Sequence, residues 1–237
     1  MHNVSRPYIV NLVLCFFLIF FSNPVIANDL TALDILNRMK NTYSTSQSYI
    51  DKGIVSSLFI QSGKQRIVKK PFKTAFLRPD HYRFEFSERK IWGENHKFIL
   101  HWDGKEANTF WDIQDPKVKK LGSLKEGISM SAGISGGSGR TVPVLLMPKK
   151  DPHGTFSNFT TLYKPKRVDD EVIEGIDCYK IKDPSDYRRL TLWISKEDFL
   201  LRQMYREQEF VDFDLEETTT YYPKINIDVP NQMLTFK

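Results

Sequence analysis

Asp80-His81-Tyr82-Arg83-Phe84-Glu85-Phe86-Ser87 is the stretch that decides the fold. Tyr82, Phe84 and Phe86 fall on one side of an extended chain, and His81, Arg83 and Glu85 on the other. Successive strand side chains point to opposite faces, so one face meets something apolar and the other meets water. The pattern returns in Phe98, Leu100 and Trp102. Asp103-Gly104 then reads as a hairpin turn, and Glu106–Trp111 runs back along it. These signals predict an antiparallel sheet. Periodicity alone leaves open whether the rings fill a core or line a hollow.

Outward from this centre, Asp29–Tyr43 reads as a helix with Asp29 as its cap and Leu33, Leu36, Met39 and Tyr43 on one face. Ile54, Ser56, Leu58 and Ile60 then alternate on one side of a strand. Gly63 turns the chain into Gln65–Lys70, and a further strand is expected over Phe72–Leu77. Beyond Thr155, strands are expected over Phe159–Lys164, Glu171–Ile173, Cys178–Lys182, Arg189–Ile194, Leu200–Glu207, Val211–Tyr222 and Met233–Phe236. Between the two sets, Leu121–Arg140 is rich in Gly and Ser, including the segment Gly127–Gly139. Such a stretch is entropically expensive to order, and it reads as a mobile insertion. Val142–Met147 is apolar enough for a short packed helix. Ten or eleven strands do not stay flat; they curl, and helices inside the curl can cover the apolar face.

Composition excludes several classes. Of 237 residues, 41% are hydrophobic and 27% charged, which fits neither a disordered acidic chain nor a multi-pass membrane protein. The formal charge of +5 is spread among acids along the whole length, without the basic block of a nucleic-acid binder. His2 and Arg6, the apolar run Tyr8–Phe21 and the exit Val25-Ile26-Ala27 have the form of a secretory signal peptide over residues 1–27. Residues 28–237 are then expected to form one domain, soluble outside the cytoplasm. Cys15 leaves with the leader, so Cys178 has no internal disulfide partner and reads as a small apolar residue inside a strand.

The chain offers little for catalysis. Gly133-Ile134-Ser135-Gly136-Gly137 matches a nucleophile elbow in spacing, but that mechanism needs a strand before the serine and a helix after it. In a Gly/Ser-rich stretch the match reads as chance. His81, His96, His101 and His153 show no metal-ligand spacing, and His81 and His101 read as exposed. Asp212, Asp214 and Glu216 share one strand face and read as a solvated row. Neither catalytic residue, metal nor cofactor is expected.

Phe76-Leu77-Arg78-Pro79-Asp80-His81-Tyr82-Arg83-Phe84-Glu85-Phe86 resembles the R-P-x-x-[FY]-x-[WF] strand of the LolA family of periplasmic lipoprotein carriers. Phe98-Ile99-Leu100-His101-Trp102-Asp103-Gly104-Lys105 is similar to the family's next strand and D-G-K turn, with Phe110-Trp111 as the following aromatic pair. The opening helix and the closing strands keep the family order. Val168–Lys182 looks more like the broader LolA-like families. The resemblance implies a mainly β, α+β fold: an unclosed antiparallel β-barrel (half-barrel) of about eleven strands, with helices lidding the concave face. It implies a monomeric carrier that takes the acyl chains of a lipoprotein, or a similar amphiphile, from an inner-membrane exporter. Such a carrier delivers them to an outer-membrane acceptor with only transient membrane contact. It also implies that Tyr82, Phe84, Phe86, Phe98, Leu100, Trp102 and Phe110 form the ligand cavity, with Arg78 as the lid gate. The alternative is a LolA-like sensor of lipid or lipoprotein that does not transport it; a hydrolase using Ser135 is a third reading.

Overall fold

The computed structural model describes residues 29–89, 95–147, 162–184 and 189–236. The expected leader, His153 and the first part of the expected strand Phe159–Lys164 lie outside these residues, and Leu162–Lys164 is irregular chain.

Helix α1 (Ala32–Thr45) is opened by a capping box, with Thr31 and Asp34 exchanging hydrogen bonds. Thr31, not Asp29, is therefore the cap; Asp29 instead pairs with Arg167 at 3.1 Å. Its buried face is Ala32, Ile35, Leu36, Met39 and Tyr43, while Leu33 is 60% exposed. The stripe runs through Ile35 because α-helical spacing alternates three and four residues.

The strands are β1 (Ser48–Gln61), β2 (Lys64–Leu77), β3 (His81–Arg89), β4 (Asn95–Asp103), β5 (Ala107–Trp111) and β6 (Val118–Leu121), then β7 (Lys166–Ile173), β8 (Ile176–Asp183), β9 (Arg189–Ser195), β10 (Leu201–Glu209), β11 (Asp214–Tyr221) and β12 (Lys224–Ile225). They form one antiparallel sheet in the order β6-β5-β4-β3-β2-β1-β11-β10-β9-β8-β7, with β12 continuing beside the start of β1. The sheet is an unclosed half-barrel with β6 and β7 as its edges. Between β6 and β7 the chain forms α2 (Leu124–Ile134) and α3 (Ser138–Leu146). The expected C-terminal strand over Met233–Phe236 is instead the end of α4 (Asn231–Leu234) and irregular chain. It packs on the outer face, where His101 Nε2 lies 2.8 Å from the Leu234 carbonyl and its ring 5.7 Å from that of Phe236. His101 is thus partly covered, whereas His81 is exposed.

The inner face carries Tyr49, Asp51, Val55 and Ser57 from β1; Ile54, Ser56, Leu58 and Ile60 face outward. Rings cross the inner face in an almost unbroken row. Tyr221 meets Phe72 (5.7 Å), Phe72 meets Phe84 (6.0 Å), Phe86 meets Phe98 (5.6 Å) and Phe98 meets Trp111 (6.1 Å). Such contacts add roughly 0.5–1.5 kcal/mol per pair beyond area burial.

One buried acid is embedded in this floor. Asp51 is 1% exposed, accepts a hydrogen bond from Tyr222 N at 2.8 Å, and burial pushes its pKa from 3.8 to about 6. The folded state therefore holds this proton more tightly than the unfolded state. Its stabilising effect is complete below the unfolded value and is lost as pH rises through about 6. Asp51→Asn keeps an acceptor for Tyr222 and removes the charge. Denaturant titration should find it close to wild type near pH 4 and more stable above pH 7, by up to about 3 kcal/mol.

Candidate functional site

The site is built where α2 and α3 cover the inner face. Leu124, Gly127, Ile128 and Ser131 are the buried stripe of α2, at helical spacing. The Gly/Ser-rich segment expected to be a mobile insertion is thus mostly helical, because its small residues are the contact points. A Cβ on Gly127 would lie 2.4 Å from Leu100 Cδ1. One on Gly139 would lie 2.6 Å from Ser131 Oγ and 3.1 Å from the Phe84 ring. Glycine lets both helices press directly on the floor and on each other.

Three basic side chains of the sheet region hold the helices down, each through carbonyls at a helix end. Arg78 donates to Ser44 O and Ser46 O at the end of α1 (2.9 Å each) and to Leu146 O at the end of α3 (3.2 Å). Lys70 Nζ donates to Ile134 O, the last residue of α2, at 3.1 Å. Arg206 donates to Gly136 O in the α2–α3 turn at 3.4 Å. Neither α2 nor α3 has a basic residue in its own last turn. The sheet therefore supplies the cations that complement the helix C-termini.

A cavity of about 500 Å³ lies between this cover and β9–β11. Leu190, Met204 and Leu215 form apolar wall; Arg140, Arg206 and Glu217 form polar wall. Glu217 is buried, accepts from Ser57 Oγ at 3.0 Å and is ion-paired with Arg206. The volume is within the usual range of small-molecule sites.

The residues expected to form the ligand cavity lie elsewhere. Tyr82, Phe84, Phe86, Phe98 and Leu100 are buried in the core beneath the helices, and Trp102 is half-buried on the same face. None of them lines the 500 Å³ cavity. Phe110 is on the other face: it stands opposite Ile99, in the row of Lys52, Lys73 and Glu85. Trp111, opposite Phe98, takes the inner position. Ser135 is fully buried at the end of α2 and its Oγ accepts from Gly139 N at 3.0 Å; it caps a helix and follows no strand. Cys178 is a free, buried thiol pushed up to about 11 by desolvation, as befits an apolar strand residue. No sequence motif marks Arg140, Arg206 or Glu217 as a site residue. Glu217 is readable by parity alone, since it alternates with Thr219 and Tyr221 rather than with Asp212, Asp214 and Glu216. Among the described residues, no cluster of three or more His, Cys, Asp or Glu can hold a metal, and no helix is long and apolar enough to cross a membrane.

No family model and no curated protein matches the chain. Among solved structures it is similar to LprF from Mycobacterium bovis, with 12% identity over 84% of this chain and 94% of that one (TM-score 0.46). A DUF1329 family protein from Desulfovibrio piger shares 11% identity over 86% and 96% (TM-score 0.37). A LolA superfamily protein from Nitrosomonas europaea shares 12% over 87% and 98% (TM-score 0.31). All are distant similarities of fold.

Two α2 glycines should separate packing from propensity. Gly127→Val drives side-chain atoms into Leu100 and should cost roughly 1–3 kcal/mol in urea denaturation. At Gly133, nothing lies within 4 Å of the position a Cβ would take. Gly133→Ala should instead stabilise by up to about 1 kcal/mol.

Proposed function

We propose that this protein binds the acyl chains of a lipoprotein, or a similar amphiphile, between the helical cover and the inner face of the half-barrel. The leader pattern of residues 1–27 supports a periplasmic setting, with an inner-membrane exporter as donor and an outer-membrane acceptor as destination. The observation that carries the reading is the covered aromatic floor with a 500 Å³ cavity beside it, under helices held by a few side-chain tethers.

An acyl chain leaving water gains roughly 0.8 kcal/mol per CH₂ buried. A carrier must therefore offer apolar surface to cargo yet hide it when empty. Lifting α2 and α3 joins the open cavity to Phe84 and Leu100, on which Gly139 and Gly127 now rest. In the loaded state Tyr82, Phe84, Phe86, Phe98, Leu100 and Trp102 contact the chain, with Trp111 in the place that the resemblance gave to Phe110. Arg78 acts as the gate, because its guanidinium ties α3 to α1 only while the cover is shut. No catalytic residue takes part.

The purified chain should take up a fluorescent fatty acid, and Phe84→Glu, checked for retained β structure by circular dichroism, should not. Uptake by a folded Phe84→Glu variant would place the ligand elsewhere. Arg78→Leu weakens the closed state relative to the loaded one, so stopped-flow transfer to acceptor vesicles should slow about tenfold, the equivalent of one charge-assisted hydrogen bond. Unchanged transfer would remove Arg78 as the gate. Handover of a bound lipoprotein to an outer-membrane acceptor distinguishes a carrier from a sensor.

A further inference from the structure

The end of the sheet where β1 turns into β2 and β10 into β11 carries apolar side chains that the fold leaves in water. We infer that these two neighbouring hairpins are a docking surface for a phospholipid bilayer. Phe210 and Val211 enter the lipid, and Lys64, Arg66 and Lys69 supply the charge that lipid phosphates attract. This goes beyond ligand binding in the cavity and stands without it.

The hairpins are neighbours because β1 pairs with β11, with Ile60 opposite Asp214 at the end of the ladder. The β10–β11 turn is closed by Phe210 N donating to Phe213 O at 2.9 Å. The rings of Phe210 and Phe213 stack with centres 4.6 Å apart, and Phe213 meets Phe59 of β1 at 5.9 Å. These three rings brace the two turns against each other, yet the apex stays bare. Val211 is fully exposed and Phe210 is 47% exposed. A lone exposed apolar residue needs no explanation, but a contiguous group at one end of a molecule marks an interaction site.

Three observations select a bilayer as the occupant. The apex is a pair of tight turns, not a groove or a flat face. Fluid lipid conforms to such a shape, whereas a stable protein partner needs a complementary surface of about 800 Å² on each side. Charge is the second. The stretch Gln61–Lys70 holds Lys64, Arg66, Lys69 and Lys70 and no acid. Lys70 is engaged with Ile134 O and Glu88, and Arg66 lies over the Phe59 ring at 5.0 Å. Lys64 and Lys69 are exposed and form no ion pair among the described residues. On the other hairpin Glu209 pairs with Arg189 at 3.0 Å, which leaves the exposed Asp212 and Asp214 as the opposing charges. Three cations against two acids give a weak pull toward anionic lipid, suited to brief contact. The third is continuity. Phe59 stands opposite Leu215 and Leu215 opposite Gln208, and both Leu215 and Gln208 line the cavity beside Met204 and Leu190. Seating Val211 in lipid therefore brings the Leu215 wall of the cavity next to the bilayer.

The test is flotation of the chain, as the cell exports it, with vesicles of phosphatidylethanolamine and phosphatidylglycerol. Wild type and variants share one N-terminus, so differences between them report the hairpins. The wild type should float, and Val211→Asp, which alters a side chain that supports no packing, should bind about tenfold more weakly. Lys64→Gln with Lys69→Gln should weaken binding by roughly fivefold for each charge removed. On vesicles of phosphatidylcholine alone that pair of substitutions should change nothing. Val172→Asp, at the exposed β7–β8 hairpin on the opposite end of the strands, should match wild type. Val211→Trp should gain a blue-shifted emission when vesicles are added. A wild type that does not float overturns the docking surface, as does equal flotation of wild type and Val211→Asp. Light scattering that finds self-association in the wild type and none in Val211→Asp, without vesicle binding, marks a contact between two copies and overturns it too. Vesicle binding by a chain that takes up no fatty acid upholds the surface and removes the cargo reading; uptake without vesicle binding does the reverse.

Discussion

The structure depends on covering an apolar, concave sheet face with helices that have little stability of their own. A sheet with one greasy side must bury it against another layer. Here that layer is α2, eleven residues long, and α3, nine residues long. Isolated helices of that length are marginal in water even with good helix formers, and these contain several glycines. They are helices because they lie on Leu100, Phe84 and their neighbours. The sheet side chains Lys70, Arg206 and Arg78 complete the helix ends as they tether them. Docking the cover and capping its helices are the same hydrogen bonds. Undocking therefore weakens the helices as well as freeing them, and the cover tends to leave as a cooperative unit.

The inner face is divided between two chemistries. Over β2 to β5 it is a row of rings packed against the helices, none of them lining the 500 Å³ cavity. Over β9 to β11 the helices stand off, and the ion pair of Arg206 and Glu217 occupies the approach. An ionised carboxylate as buried as Glu217 is sustained only by full pairing, and Ser57 and Arg206 provide it. The turn at Gly136 and Gly137 follows from this. Both have positive φ (63° and 82°), and a Cβ on Gly136 would lie 2.5 Å from Glu217 Oε1. Charge and glycine geometry fix each other, and a hollow remains beside them.

Much of the fold was legible because strand alternation is a local property. Tyr82, Phe84 and Phe86 announced their face without any knowledge of neighbours, and Asp103-Gly104 announced the hairpin. What local reading lost was register. In the β4–β5 pairing Trp102 stands opposite Ala107, so inward residues are even-numbered on β4 and odd-numbered on β5. Of the aromatic pair that the resemblance pointed to, Phe110 is the outward member and Trp111 the inner one. The Gly/Ser-rich segment read as a mobile insertion because intrinsic propensity opposes a helix there, and only close packing reverses it. Met233–Phe236 is apolar in composition like a strand, but Pro230 leads it into a helical turn over His101 rather than into the sheet. The candidate site was the least legible part, since Arg140, Arg206 and Glu217 come from separate elements that only the curled sheet brings together.

For the proposed carrier, the balance between closed and loaded states follows from the same few contacts. Each tether to a helix-end carbonyl has a charged donor, worth about 1.5–3 kcal/mol in favourable cases. An acyl chain returns roughly 0.8 kcal/mol for each CH₂ it buries, but it must displace packing that Leu100 and Phe84 already have with the cover. The gain on loading is therefore a difference between two buried states and much smaller than transfer from water. A ligand shifts a two-state cover only by its differential affinity for the open form. A floor already satisfied by helices keeps that differential modest, which lets cargo leave again for a more apolar acceptor. A permanently open greasy groove would bind more tightly, and for that reason would not deliver.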